Sequence, residues 1–233
     1  MIRNIIFKFF FYFGIIFICI LFLPALLLPQ KITIIAGKIS GFWSKFCLEF
    51  FLSTKIIIKG KENLIYNNKF FIACSHQSMF ETFFLQTLFN GPIFILKKEL
   101  TKIPIFGWYL IKIGSISIER NKISKSNLDF LDKIKLTVRN SNRPILIFPQ
   151  ATRLDVNDRI PFKKGVGRIY ENLNIKCLPI AINSGSVWPK SGKLIPKKTI
   201  TVSILREINP GLDTKEFLIK LEKNIYTELD SIA

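Results

Sequence analysis

His76 is the only histidine in the 233-residue chain, so any imidazole chemistry must happen there. Glu81 stands five residues on, in the run Ser75-His76-Gln77-Ser78-Met79-Phe80-Glu81. A carboxylate held against one imidazole nitrogen fixes the tautomer and leaves the other nitrogen basic, the arrangement of a general base. The spacing sets a geometric condition. On one regular helix an offset of five is a rotation of about 140°, so the two side chains would face apart. With His76 on a loop and Glu81 in the first helical turn, the carboxylate reaches back to the ring. The same residues fit a capped helix start with an incidental histidine, and the pair alone favours that simpler reading.

Three other stretches bear on the choice. Gly114-Ser115-Ile116-Ser117-Ile118-Glu119-Arg120 closes an apolar run with an arginine. Phe148-Pro149-Gln150-Ala151-Thr152-Arg153 closes another with a turn, a hydroxyl and a second arginine. Guanidinium offers paired donors to phosphate oxygens, so two strand-end arginines make a fork for a phosphate, although each alone also fits a surface ion pair. In Leu178-Pro179-Ile180 a proline sits inside an apolar run. It cannot donate a ladder hydrogen bond and so marks a sheet edge or a break.

The elements that would position these residues are short. Strands are expected at 56–58, 70–74, 93–96, 115–118, 145–148, 178–182 and 200–205, each apolar and bounded by Gly, Pro, Asn or Lys. Helices are expected at 79–89, 124–138, 165–172 and 214–229. In the second of these, Leu128, Leu131, Ile134 and Val138 recur at helical spacing. The last opens with Asp213 three residues before Glu216, a capping pattern. Strands alternating with helices predict an α/β fold, a mixed sheet flanked by helices. One domain is expected over 55–233, preceded by a membrane-embedded helical segment over 1–54.

That N-terminal segment carries much of the apolar content, which is 49% of the chain with a mean hydropathy of +0.32. Phe9 to Pro29 runs without a charge and is long enough to cross a bilayer core of ~30 Å. Pro24 interrupts it, so the segment either kinks and spans or turns back. Basic residues flank it on both sides (Arg3, Lys8, Lys31, Lys38), so they do not orient it. The stretch Ile39 to Ser53 fits an interfacial helix or a helix packed on the body of the protein. Removing everything before Lys55 is expected to free the protein from membranes unless another surface binds lipid.

Lys and Arg total 34 against 16 Asp and Glu, a net charge of +18. Such a balance attracts anionic lipid, an acidic protein or nucleic acid. No nucleic-acid motif accompanies it, and the apolar segment argues against a nucleic-acid partner. The four cysteines lack CxxC spacing and read as small buried hydrophobes rather than a disulfide frame or metal site. A G-x-S-x-G elbow is absent, which ranks a serine hydrolase low.

Taken in order, His76 to Glu81, Arg120, Phe148 to Arg153 and Pro179 resemble the glycerolipid acyltransferases typified by 1-acyl-sn-glycerol-3-phosphate acyltransferase. That family carries a His-x4-Asp block, an arginine-ended block, Phe-Pro-Glu-Gly-Thr-Arg, and an apolar block around a proline. Lys97-Lys98-Glu99-Leu100, Ile105-Phe106-Gly107-Trp108 and Phe162-Lys163-Lys164-Gly165 extend the likeness over residues 55 to 190. The resemblance implies that His76 and Glu81 are catalytic, and that Arg120, Gln150, Thr152 and Arg153 bind the phosphate acceptor. It gives Pro179 an acyl-donor or structural role. It implies acyl transfer from acyl-carrier protein or acyl-coenzyme A to lysophosphatidic acid, giving phosphatidic acid, with no metal or cofactor. The place implied is a membrane, at the cytoplasmic face of a bacterial inner membrane. The alternatives are another lysolipid acceptor, or a catalytically weakened member acting as a membrane scaffold.

Four positions depart from that pattern: Glu81 for Asp, Ser75 for a frequent Asn, and Gln150-Ala151 for Glu-Gly. Gln keeps the shape of Glu without its charge, which is expected to leave a phosphate pocket more positive and to favour a monoester. Ala resists a backbone with φ > 0 by roughly 1 kcal/mol.

Overall fold

The computed structural model describes residues 2–65, 69–119 and 130–233. Two helices come first, α1 (Ile2–Leu21) and α2 (Gln30–Leu52), joined through a 3-10 turn at Leu23–Leu26 that contains Pro24. The chain therefore turns back at the proline. Arg3 closes the hairpin by donating to the Phe51 carbonyl and the Ser53 hydroxyl at the far end of α2.

The body is one seven-stranded sheet of β1 (Lys55–Lys59), β2 (Phe70–Cys74), β3 (Ile93–Lys97), β4 (Ile116–Ile118), β5 (Ile145–Ile147), β6 (Lys176–Ile182) and β7 (Thr199–Ile204). Their order across the sheet is β1-β7-β6-β2-β5-β3-β4. Every neighbouring pair is parallel except β6 with β7. Helices α3 (Phe80–Leu88), α4 (Phe106–Lys112), α5 (Phe130–Asn140), α6 (Lys164–Leu173) and α7 (Thr214–Ile232) complete the described chain. The mixed, helix-flanked sheet read from the sequence is the observed fold. The first six residues of the helix expected at 124–138 lie outside the described residues, and α5 runs from Phe130.

Pro179 is not on an edge. β6 is an interior strand and Pro179 is paired with Ala73 of β2. On its other flank the β6–β7 ladder covers only Ile180 to Ile182, and Cys177 bridges separately to Ile208. The Pro179 carbonyl accepts from Leu205 between those two pairings, so the missing N–H falls in a break of the ladder.

Two apolar layers cover the sheet. On one face Ile134, Val166, Ile169, Tyr170, Phe217 and Leu221 pack from α5, α6 and α7, with the Tyr170 and Phe217 rings stacked 3.9 Å apart. On the other face lie α3 and the N-terminal hairpin. Phe7, Phe11, Ile15, Leu48 and Leu52 belong to the same core as Ile72, Leu146 and Leu178 of the sheet. α2 can lie this close to α3 because Gly41 meets it: a Cβ there would stand 2.5 Å from the Phe83 carbonyl oxygen.

The buried positions of α1 are Phe7, Phe11, Gly14, Ile15 and Ile18, one stripe at helical spacing. Its other face leaves Ile2, Ile5, Phe9, Phe13, Ile16 and Phe17 each more than half exposed. α2 adds Phe42 and Phe50, and α4 adds Trp108 and Ile111. A contiguous apolar surface of this kind is not left in water.

Candidate active site

β2 and β5 are neighbours in register, Ala73 opposite Ile147. The segments that leave their C-terminal ends, 75–79 and 148–153, therefore emerge side by side, at the edge where α/β sheets place their sites. Ser75 extends the pairing past β2: its N–H donates to the Ile180 carbonyl, and its hydroxyl accepts from the Ile182 N–H. Gln77 is buried and accepts from the Gly185 N–H. The His76 carbonyl accepts from the Leu154 N–H, which ties the two segments together.

His76 lies on this loop and Glu81 in the first turn of α3, which meets the geometric condition. One oxygen of the fully buried Glu81 accepts from the N–H groups of Gln77 at 2.6 Å and Ser78 at 2.8 Å. The Ser78 hydroxyl in turn accepts from the Phe80 N–H, completing a reciprocal helix cap. That same Glu81 oxygen stands 3.6 Å from His76 Nδ1. One carboxylate thus caps the helix and faces the imidazole. Its second oxygen and His76 Nδ1 are both buried without a hydrogen-bond partner among the described residues, so a small rotation brings them into use on each other. The negative charge is felt nearby: burial, and then Glu81, hold the Cys74 thiol well above its ordinary range. The His76 ring stacks on Phe148, 4.0 Å between centroids. With Nδ1 buried toward Glu81, Nε2 is the nitrogen left for a substrate.

His76 opens on a cavity of about 630 Å³. Thr152 and Arg153 from the segment after β5 line it, as do Lys97 at the end of β3 and Lys190 after β6. Lys97, Arg153 and Lys190 make no ion pair among the described residues. Beyond these cations the walls are mostly apolar: Ile15 and Ile18 of α1, Ala36 of α2, Phe83 of α3 and Leu110 of α4. The site is thus one cationic mouth with an imidazole, leading to a hydrocarbon-lined interior between the hairpin and α3.

The other residues singled out in the sequence fall elsewhere. Arg120 lies outside the described residues. Gln150 is buried and absent from the cavity lining; its side chain lies beside Tyr226 on α7, whose hydroxyl donates to the Ile160 carbonyl. Pro179 is buried within β6, away from that lining. Lys190 was not singled out in the sequence, and Lys97 only as part of a longer likeness. A lone lysine before or after a strand carries no signal until topology brings the strand ends together.

Ala151 adopts φ of 61°, the left-handed conformation for which the related pattern uses glycine. Its N–H donates to the Phe148 carbonyl, so the turn holds despite the Cβ. Ala151→Gly should therefore stabilise the protein by about 1 kcal/mol. For a chain of this size that is roughly a 2–4 °C rise in Tm, readable by thermal unfolding. An unchanged or lower Tm would mean that the turn is not strained.

Residues 55–183 match the family model described as Acyltransferase. The 1-acyl-sn-glycerol-3-phosphate acyltransferase of Pseudomonas aeruginosa is 37% identical over 147 residues, covering 63% of this chain and 56% of that one. The enzyme of the same name from Saccharomyces cerevisiae is 29% identical over 80% of this chain and 63% of its own length. The chain thus spans somewhat more than half the length of these relatives. In fold, the crystal structure of the 1-acyl-sn-glycerophosphate (LPA) acyltransferase PlsC of Thermotoga maritima is similar over 99% of this chain and 97% of that one. Its TM-score is 0.80 at 20% identity. The match starts at β1 and runs through β6, taking in the histidine loop, the segment after β5 and the strand of Pro179, and on that ground the chain belongs to the Acyltransferase family.

Proposed function

We propose that this protein is a 1-acylglycerol-3-phosphate O-acyltransferase, which moves a fatty acyl group from a thioester to the free hydroxyl of lysophosphatidic acid. One observation carries the reading: a carboxylate-backed imidazole stands where three cations, unpaired among the described residues, meet a hydrocarbon-lined cavity. The cations suit the phosphate of the acceptor and the cavity suits an acyl chain.

His76 Nε2 takes the proton of the glycerol hydroxyl, and the oxygen attacks the thioester carbonyl. Glu81 stabilises the imidazolium that forms. The tetrahedral intermediate collapses, the C–S bond breaks, and the thiolate leaves with the proton held by His76. No nucleophilic side chain is required, because the acceptor supplies the nucleophile. Arg153, Lys97 and Lys190 hold the phosphate, with Thr152 beside them and Arg120 as a further cation. The thioester is carried by acyl-carrier protein or coenzyme A, both acidic, and the net charge of +18 assists either encounter. The direct test offers labelled acyl thioesters with a panel of lysolipids to membranes containing the protein. Phosphatidic acid is the expected product, and a failure to acylate lysophosphatidate would reject the assignment.

The exposed apolar face of α1, α2 and α4 supports a membrane-bound enzyme. The opposite stripe of α1 is packed into the domain core, which favours a hairpin lying in one leaflet over a helix that spans. We place it on the cytoplasmic side of a bacterial inner membrane, where acyl thioesters are made. The hairpin also alters the expected outcome of a truncation before Lys55. It would strip Phe7, Phe11, Leu48 and Leu52 from the core, and so unfold the protein rather than release it. Surface substitutions are the cleaner probe. Each of Phe9→Glu, Phe13→Glu and Phe17→Glu should weaken binding to anionic vesicles at least about tenfold, since a buried aromatic side chain is worth roughly 1.5–3 kcal/mol. Undiminished sedimentation with vesicles would place the membrane contact elsewhere.

A further inference from the structure

Among the neutral polar side chains that line the cavity, most donate to backbone carbonyls. Thr33 donates to the Ala25 carbonyl, Ser40 to Ala36, Thr82 to Met79 and Tyr109 to Cys19. Gln86 of α3 does not. It is only 8% exposed, it lines the cavity, and its amide makes no hydrogen bond among the described residues. Opposite it α2 presents Gly37, where a Cβ would stand 3.4 Å from Gln86 Oε1, so nothing larger crowds the amide.

The depth of Gln86 follows from the helix. Met79, Phe83 and Gln86 all line the cavity, one stripe of α3 that starts beside His76. Seven residues separate the first from the last, roughly 10 Å of helix rise. If the acyl carbonyl sits at His76, an extended chain covers that distance in roughly eight carbons, given single bonds of about 1.5 Å. Gln86 therefore meets the middle of a long chain, not its end.

We infer that Gln86 determines acyl-chain specificity: it favours chains that carry a hydrogen-bonding oxygen at mid-chain, or that stop short of it, over saturated chains that lay methylenes across it. This rests on reading the cavity as the acyl site. In the empty cavity, water serves the amide. A saturated chain expels that water and leaves two donors and an acceptor unpaired in an apolar surround, which is unfavourable. A mid-chain hydroxyl both donates and accepts, so it can replace the water. A butanoyl chain, about half the reach to Gln86, is too short to displace it.

The experiment measures kcat/KM for palmitoyl, mid-chain hydroxypalmitoyl and butanoyl thioesters, each supplied on coenzyme A and on acyl-carrier protein. Wild type is compared with Gln86→Met and Gln86→Leu, the first unbranched and of matching length should the second fold poorly. Both variants are expected to raise the palmitoyl to hydroxypalmitoyl ratio by roughly 5- to 100-fold, with butanoyl transfer little changed. An unchanged ratio overturns the role of Gln86. Ala36→Phe, which narrows the same cavity from α2, separates the two levels. If it alters the palmitoyl to butanoyl ratio while the Gln86 variants alter nothing, the cavity holds the chain and only the Gln86 inference fails. If none of the three variants changes chain preference, the acyl cavity itself is misassigned and the inference falls with it.

Discussion

His76→Ala is expected to lower turnover by a factor on the order of 10²–10⁴ while leaving membrane binding intact. The loss should be chemical rather than structural. The hydrogen bond that ties this loop to the segment after β5 comes from the His76 backbone, and alanine keeps it. The imidazole itself contributes one stacked contact with Phe148. No second histidine exists to take over the proton. Glu81 offers a sharper companion measurement because it has two duties. Glu81→Ala removes the acceptor for two backbone N–H groups and should cost about 1–3 kcal/mol of stability as well as activity. Glu81→Gln keeps an oxygen for those N–H groups but loses the charge facing Nδ1. Its kcat should fall about 10²-fold with a near-normal unfolding midpoint. Near-wild-type turnover in His76→Ala would reject the base, whatever Glu81 does.

The sheet was legible in the sequence because each strand is a short apolar run closed by turn residues, and in a parallel sheet such runs are buried on both faces. α4 was missed. Its run from Phe106 to Lys112 is only seven residues, follows Pro104, and is too short to declare a period. The sequence marks the hairpin as a membrane element and allows its second helix to pack on the body, but it does not show the burial of α1. The stripe Phe7, Phe11, Ile15 and Ile18 is no more apolar than the exposed residues around it, so composition cannot say which face meets protein. His76, Glu81 and Arg153 were legible because their spacing constrains the chemistry. Lys190 and Gln86 were not. The first depends on how the chain after β6 returns to the sheet edge. The second is an ordinary helix residue until α2 covers it. Gln150 shows the converse: its place beside Arg153 in sequence suggested the pocket, yet the turn at Ala151 sends its side chain toward Tyr226.

Arg153→Ala should raise the KM for lysophosphatidate by roughly 10- to 150-fold, the equivalent of one charge-assisted hydrogen bond of about 1.5–3 kcal/mol. The KM for the acyl thioester should move far less. Arg153 is half-buried at the cavity mouth and has no carboxylate partner among the described residues, which leaves its donors for an anion. Lys97 and Lys190 share the same mouth but are exposed, and a solvated ammonium contributes less than a half-buried guanidinium. Alanine at either lysine should therefore raise the acceptor KM by a smaller factor than Arg153→Ala. Three cations also favour a doubly charged phosphate monoester over a phosphodiester. A competition between lysophosphatidate and lysophosphatidylglycerol should go to the monoester in wild type and less strongly in Arg153→Ala. Gln150→Glu is the informative contrast. Its side chain lies outside the cavity, so a new carboxylate there acts only at a distance and should shift the competition less than Arg153→Ala does. If the diester wins in wild type, the mouth does not read phosphate charge. If Gln150→Glu outweighs Arg153→Ala, position 150 rather than Arg153 governs the acceptor site.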